Sequence, residues 1–261
     1  MDERNVNVPG IMLNKVPEIT LYFWVIKILA TTVGETAADL LSVRLNFGLT
    51  ATSAVMCAVF MAVLLWQLRL DRYVPFVYWL TVVLISVVGT LVSDNLVDGV
   101  GISLVTTSVI FAVCLVATFS VWYASERTLS IDTIVTPRRE QFYWFAILFT
   151  FAMGTSVGDL LAERLDLGYA QATLLFALFL GVVAVLYYIL RLNAIFCFWL
   201  AYILTRPLGA SVGDWLAKPS IAGGLGFGTV ATSIWFLGLI LAIVLYLTVS
   251  KADSIAPEAA E

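Results

Sequence analysis

Four aspartates recur at one position of a repeated motif, and they are the side chains of this chain best placed to do chemistry. Each aspartate follows a tryptophan by fifteen residues and a glycine by five, in the pattern [FY]-W-x9-G-x4-D-x-L. The four copies are spaced 55, 65 and 55 residues apart. Carboxylates are hard oxygen ligands, so four at equivalent positions indicate a site for protons or a hard cation.

The position four residues before each aspartate is also polar in three of the four copies, and it shares the aspartate's helical face. It holds Glu35, Thr90 and Thr155, with Ala210 in the fourth copy. In lipid such a polar stripe must face the interior of a bundle. The predicted metal ligands are therefore the acids and hydroxyls of the stripe: Asp39, Asp94, Asp159, Asp214, Glu35, Thr90 and Thr155.

Two basic residues, Lys27 and Arg206, also lie within predicted membrane spans. The acids of the stripe outnumber them by five to two, and a low-dielectric site cannot hold that excess charge uncompensated. Protons or bound cations must therefore balance the acids. We predict that Lys27 and Arg206 act as counter-charges or as part of a gate.

The ligand types narrow the choice of ion. The chain has no histidine, and its three cysteines lie outside the motif. Zn²⁺ and Cu⁺ are therefore disfavoured, whereas Mg²⁺ and Mn²⁺ suit oxygen ligands equally well. Without histidine, no nucleophile–base pair of the usual kind can be assembled. We expect a transporter or permeation pathway for a divalent cation of the Mn or Mg type. Transport that is coupled to protons is one form of this hypothesis. No catalytic residues and no bound cofactor are expected.

Three other interpretations remain open. In the first, the aspartates are structural and form hydrogen bonds with threonines and serines at the starts of the even-numbered helices. In the second, the chain is a proton-coupled carrier of a small, anionic organic substrate held by Arg206 and Lys27. In the third, the repeats build a structural or signalling scaffold in the bilayer.

The elements that carry these residues are long apolar runs. Of 261 residues, 61% are hydrophobic and only 12% charged, against about 25% charged in soluble domains. With a net charge of −4, this composition excludes a soluble enzyme, a nucleic-acid binder and a disordered chain. Runs long enough to cross a bilayer fall at about 20–43, 49–68, 76–97, 103–123, 142–164, 169–190, 196–217 and 228–249.

The runs and the repeat together predict an all-α polytopic membrane protein with eight transmembrane helices, built from four parallel helical hairpins in two duplicated halves. Its segments are a cytoplasmic stretch (1–19), a first half (20–125), a linker (126–141), a second half (142–250) and a tail (251–261). The motif glycines are expected to allow close helix packing. The aromatic pairs that open the motif helices are expected to be anchors at the membrane interface.

Basic residues predict the orientation of the chain. Nine lysines and arginines lie on the side of the termini and three on the opposite side, so both termini are expected in the cytoplasm. The expected partners are the lipid bilayer, a small inorganic cation and protons, and no nucleic acid.

The fourth copy differs from the others in carrying Arg206 and Pro207. Proline removes a backbone donor from a helix interior, so the seventh helix is predicted to be broken or mobile before Gly209. The first copy alone adds a second acid, Glu35, so the cation is predicted to lie off the axis, nearer Glu35 and Asp39.

The repeat and two segments that contain it resemble a known family. The segments KVPEITLYFWVIKILATTVGETAADLL and YWFAILFTFAMGTSVGDLLAERLDLGY are similar to bacterial multi-span proteins described as uncharacterised "membrane-anchored" proteins. The resemblance extends over about 20–250 and implies a location in the bacterial inner membrane.

Overall fold

A computed structural model describes residues 14–44 and 47–253, and it shows an all-helical chain with no strand in those ranges. The helices are α1 Leu21–Asp39, α2 Leu49–Arg69, α3 Pro75–Asp94, α4 Leu104–Glu126, α5 Pro137–Asp159, α6 Tyr169–Tyr188, α7 Ala194–Ala217 and α8 Thr229–Ser250. Within the described ranges seven of them, α2 to α8, are long and apolar enough to cross a membrane. The predicted all-helical architecture is thus confirmed.

The helix α1 is outside that set of seven, and it carries Lys27 and Glu35 in its interior and Asp39 at its end. Lys27 and Glu35 are nevertheless buried. They are buried because α1 packs against α3, α7 and α8. A helix with charged residues can therefore lie at the centre of this fold, where its polar face meets other helices.

The four motif helices, α1, α3, α5 and α7, form a closed inner ring in which each packs on the next and α7 packs on α1. The even-numbered helices lie outside this ring. In the apolar stretch of α3 78% of the residues are buried, against 11% in α2. The polar stripe of the motif helices therefore has neighbours inside the protein, while the outer helices present apolar side chains to the surroundings.

The outer helices connect successive repeats. Each one packs most extensively on the motif helix that follows it: α2 on α3, α4 on α5 and α6 on α7, while α8 returns to α1. The four repeats therefore interlock around the ring instead of standing as four self-contained hairpins. The contact of α8 with α1 joins the last repeat to the first.

The motif glycines are the points of closest approach in the ring, as predicted. A Cβ at Gly34 would lie 2.0 Å from Ser86 Oγ, and a Cβ at Gly209 would lie 2.0 Å from Thr31 Oγ1. Gly89 and Gly154 make equivalent contacts with the following motif helix, so the pattern repeats around the ring. Any larger residue at these positions would force neighbouring helices apart.

The prediction that the aromatic pairs are interfacial anchors is wrong for most of their members. The first residue of every pair and three of the four tryptophans are buried, with Trp24 half-buried. Each tryptophan contacts the first aromatic residue of the preceding motif helix, with ring centroids 5.6–6.3 Å apart. The contacts are Trp24–Phe198, Trp79–Phe23, Trp144–Tyr78 and Trp199–Tyr143. Because the ring is closed, these side chains face neighbouring helices, and we call this set the aromatic layer.

The predicted break in the seventh helix is also wrong, because α7 runs unbroken through Pro207. Polar side chains from α1 donate hydrogen bonds to backbone carbonyls in the turns around the proline. Lys27 Nζ donates to the Tyr202 carbonyl at 3.0 Å, and Thr31 Oγ1 donates to the Thr205 carbonyl at 3.3 Å. Pro207 removes the donor to the Ile203 carbonyl, and these bonds from α1 hold the neighbouring turns in place.

Both ends of the described chain lie on one face, next to the aromatic layer. The Glu18 amide donates to the Asp253 carbonyl at 3.0 Å, and Lys15 forms a buried ion pair with Glu140 at 2.7 Å. We call this side the terminal face and the opposite side, where the motif helices end, the far face. Burial raises the pKa of the Asp253 carboxyl, although a hydrogen bond from Tyr73 opposes the shift.

Candidate cation site

Arg206 lies at the centre of the ring and is fully buried. Its Nη2 atom donates to Glu35 Oε2 at 3.1 Å, to Thr155 Oγ1 at 2.7 Å and to Thr90 Oγ1, and its Nη1 atom donates to the Thr31 carbonyl at 3.2 Å. One guanidinium from α7 therefore binds all three other motif helices. A planar group with five donors is suited to such a junction.

The repeat explains how a single arginine can occupy the centre. The residues equivalent to Arg206 in the first three copies are Thr31, Ser86 and Phe151. One turn further on, the fourth copy has Ala210 where the others have their polar residue. The small alanine leaves space for the guanidinium to extend from one turn earlier toward the other three helices.

Three carboxylates gather near the arginine, on the side of the far face. One oxygen each of Glu35, Asp159 and Asp214 lies within 4.8 Å of the other two. Glu35 and Asp214 are buried, and Asp159 is half-buried. We call this set the carboxylate cluster. Oxygens at this separation can share one hard cation, since Mg²⁺ and Ca²⁺ bind carboxylates at about 2.0–2.6 Å.

Lys218 lies at the edge of the cluster and is not among the site residues predicted from the sequence. Its Nζ atom is 3.6 Å from Asp214 Oδ1 and 3.7 Å from Asp39 Oδ2. Burial lowers the pKa of Lys218, but the carboxylates of Asp214 and Asp39 outweigh this and raise it above its usual range. The ammonium is therefore charged at neutral pH. Its spacing of four residues from Asp214 was the available signal.

The predicted ligands thus separate into groups with different surroundings. Thr90 and Thr155 accept hydrogen bonds from Arg206, and Asp39 faces Lys218. Asp94 is half-buried and lies outside the carboxylate cluster. The four motif aspartates are equivalent in sequence, but their environments differ.

Lys27 lies deeper than Arg206, toward the aromatic layer. Its Nζ atom donates to Thr205 Oγ1 at 2.5 Å and to the Tyr202 carbonyl, and it lies 3.5 Å from the centre of the Tyr202 ring and 5.0 Å from that of Phe151. Among the described residues it forms no ion pair with a carboxylate. Lys27 is therefore held by dipoles and aromatic faces, and it does not neutralise the cluster.

Local helix geometry places the aspartates. In the first three repeats the α-helix changes into a π-helical turn directly after the motif aspartate, over Leu40–Arg44, Asn95–Gly99 and Leu160–Arg164. In the fourth repeat α7 ends at Ala217 with no such turn. Short π-helical segments are often found at functional sites. Here they occur one residue after the carboxylates that face the ring.

Hydroxyls at the starts of the outer helices contact the inner ring close to this level. Ser233 Oγ lies 2.8 Å from Thr36 Oγ1, and Asn95 Nδ2 donates to Ser53 Oγ at 2.6 Å. These contacts tie α8 to α1 and α2 to the end of α3. They give the outer helices a structural role around the site.

Comparison with known proteins gives a family and no activity. No curated protein and no solved structure matches the chain. A family described as Repeat of Unknown Function (DUF347) matches residues 22–73, 77–128, 142–193 and 197–253. The four matched segments begin at the same spacing as the motif and together cover most of the chain, which confirms the four-fold repeat. The chain therefore belongs to the DUF347 repeat family.

Proposed function

We propose that this protein is a multi-pass membrane transporter for a hard divalent cation of the Mn²⁺ or Mg²⁺ type, and that the ion binds between Glu35, Asp159 and Asp214. One observation carries the proposal: the oxygens of these three carboxylates lie within 4.8 Å of one another, inside a ring of apolar helices. Carboxylates in such surroundings are costly unless a counter-charge is present.

The charges around the cluster support a cation as its ligand. In and beside the cluster, four carboxylates, those of Glu35, Asp39, Asp159 and Asp214, lie near two cations, Arg206 and Lys218. Arg206 pairs with Glu35, and the Lys218 ammonium lies between Asp214 and Asp39. A divalent ion adds positive charge among the three clustered carboxylates when it binds, and protons replace it when the ion leaves. Coupling to protons follows from this exchange.

The surroundings of the site also suggest how an ion reaches it. On the far side, the side chains of Asp39 and Lys218 are 29% and 30% exposed. On the terminal side, the aromatic layer is buried. We infer that this conformation admits ions from the far face and is closed toward the terminal face.

The proposal includes the position of the chain in the membrane. The helix α1 is the eighth span, because its charged residues face the interior of the ring. The excess of basic residues on the terminal side supports a cytoplasmic position for that face, with the site opening outward across a bacterial inner membrane.

One observation favours a second function, a proton-coupled carrier of a small anionic substrate. Arg206 Nε is buried and has no hydrogen-bond partner among the described residues. An anion could use this donor together with Lys218. The three carboxylates next to it oppose an anion, and for this reason we place the cation first.

The first prediction compares two motif aspartates. We expect Asp159→Asn to weaken Mn²⁺ binding by at least about tenfold, because it removes a charged ligand from the cluster. Asp94→Asn changes the same residue type at the equivalent motif position outside the cluster, and we expect a smaller effect. Isothermal titration of the purified protein in nanodiscs measures both.

Proteoliposomes test the transport step with the same variants. Mn²⁺ uptake should fall with Asp159→Asn and persist with Asp94→Asn. Equal losses in the two variants would argue against the carboxylate cluster as the site. Proton uptake that requires an added small carboxylate and ignores Mn²⁺ would favour the anion carrier.

A further inference from the structure

We propose that Lys218 is a tethered cation that occupies the mouth of the carboxylate cluster and excludes monovalent ions, so that only a divalent cation displaces it. This inference rests on the proposed function, since it assigns the ion selectivity of the same site to one residue.

The position of the ammonium is the first support. Lys218 Nζ lies between Asp214, a member of the cluster, and Asp39 on the opposite side, at 3.6 and 3.7 Å. These distances are longer than the 2.7–3.2 Å of a well-formed hydrogen bond. The side chain is 30% exposed and also lies 5.8 Å from the centre of the Tyr169 ring. The ammonium is thus a loosely held bridge that a stronger ligand can displace.

The backbone of Lys218 is held by hydrogen bonds, whereas its ammonium is held by ion pairs longer than a hydrogen bond. Its amide donates to the Asp214 carbonyl at 2.8 Å, and its own carbonyl accepts from the Gly226 amide at 2.9 Å. At Gly224 a Cβ would lie 2.0 Å from the Lys218 carbonyl oxygen. The loop that follows α7 therefore folds back on this residue and holds the base of the side chain beside the site.

The other repeats differ in sequence at this position. The residues equivalent to Lys218 are Val43, Asp98 and Glu163, none of them basic. In those repeats the chain continues into a π-helical turn, whereas α7 ends at Ala217 and Pro219 follows Lys218. The fourth repeat alone combines an early helix end with a basic residue, which brings one ammonium to the mouth of the site.

Selectivity follows from tethering. A side chain attached to the site has an effective concentration of roughly millimolar or higher. A monovalent ion carries the same charge as the ammonium, so its replacement of the ammonium brings no electrostatic gain. A divalent ion offers twice the charge, so it displaces the ammonium, and Lys218 then swings toward solvent.

The test is Mn²⁺ titration of Lys218→Gln in two media of equal ionic strength, one with Na⁺ and one with N-methylglucamine, which is too large for the site. In N-methylglucamine we expect Lys218→Gln to bind Mn²⁺ about tenfold more tightly than the wild type. In Na⁺ this gain should be largely lost, because Na⁺ now competes. The wild type should bind equally in both media.

Two controls complete the design. Arg164→Gln removes one exposed positive charge from the same face, and Lys218→Arg keeps the charge at the site; neither should acquire sensitivity to Na⁺. Labelling of Lys218 by an amine-reactive reagent should rise in the wild type when Mn²⁺ saturates the site. If Lys218→Gln binds Mn²⁺ as the wild type does in both media, the inference is overturned while the proposed function stands. If the wild type binds no Mn²⁺, both fall.

Discussion

Arg206 is the residue on which the interior of this protein depends. It is fully buried, it pairs with Glu35, and it binds one hydroxyl each from α3 and α5. A buried charge that loses its partner is strongly destabilising, whereas a complete pair is close to neutral. The residue therefore sets the arrangement of the four motif helices, whatever the function of the site.

The second prediction tests this role with a double-mutant cycle. Arg206→Met leaves the Glu35 carboxylate buried without its cation, and we expect it to lower the unfolding free energy by about 3–5 kcal/mol. Adding Glu35→Gln should recover part of that loss. Unfolding in mixed micelles with increasing sodium dodecyl sulfate measures the three variants. Strictly additive effects would show that the pair has no special energetic role.

At the residue scale, the sequence predicted which side chains lie inside and missed how they divide. The helical stripe identified Glu35, Asp159 and Asp214, because period and burial in lipid restrict polar residues to one face. The stripe did not reveal that the Thr90 hydroxyl accepts a hydrogen bond from Arg206. The stripe also did not place Lys218 in the site. From the sequence, Lys218 was counted as a loop residue on the far side of the membrane, because it follows the predicted end of the seventh span.

At the element scale, the motif glycines act together with the arginine. They allow the inner helices to approach until backbone and side chain touch, and they do so in the same way around the ring. Close packing of small residues is the main source of helix association in membranes. The inner helices are therefore closely packed next to the site.

The third prediction compares two glycines in different helices. At Gly209 a Cβ would lie 2.0 Å from Thr31 Oγ1 and 3.0 Å from the Thr32 amide nitrogen, whereas nothing lies within 4 Å of one at Gly238. We expect Gly209→Ala to destabilise the protein by about 1–3 kcal/mol through overpacking. Gly238→Ala should leave stability unchanged or raise it, because alanine favours helix. The midpoint of thermal unfolding in detergent measures both, and equal midpoints would contradict the close packing.

The sequence predicted the eight helices to within a few residues at most ends, and it failed at features that depend on neighbours. A long apolar run predicts a helix regardless of which elements pack on it. The π-helical turn after Asp39 has no such signal, and neither does the packing of α2 on α3. The aromatic layer was misassigned because a buried Trp79 and an interfacial tryptophan read the same in sequence.

At the scale of the whole molecule, four similar units form one asymmetric site. The repeats close into a ring through the contact of α8 with α1, and the ends of the described chain meet at the terminal face. Three repeats supply oxygens to Arg206, and the fourth supplies Arg206 and Lys218. Duplication gives the scaffold, and the departures of the fourth repeat give the site its two positive charges.

The most direct test of the central claim is anomalous diffraction from crystals of the protein soaked in Mn²⁺, recorded on both sides of the manganese absorption edge. We predict an anomalous peak within about 2.0–2.6 Å of oxygens from Glu35, Asp159 and Asp214, with the Lys218 ammonium moved away from Asp214. Crystals of Asp159→Asn, soaked in the same way, should lack the peak. Manganese bound elsewhere on the molecule, with these three carboxylates unliganded, would contradict the account.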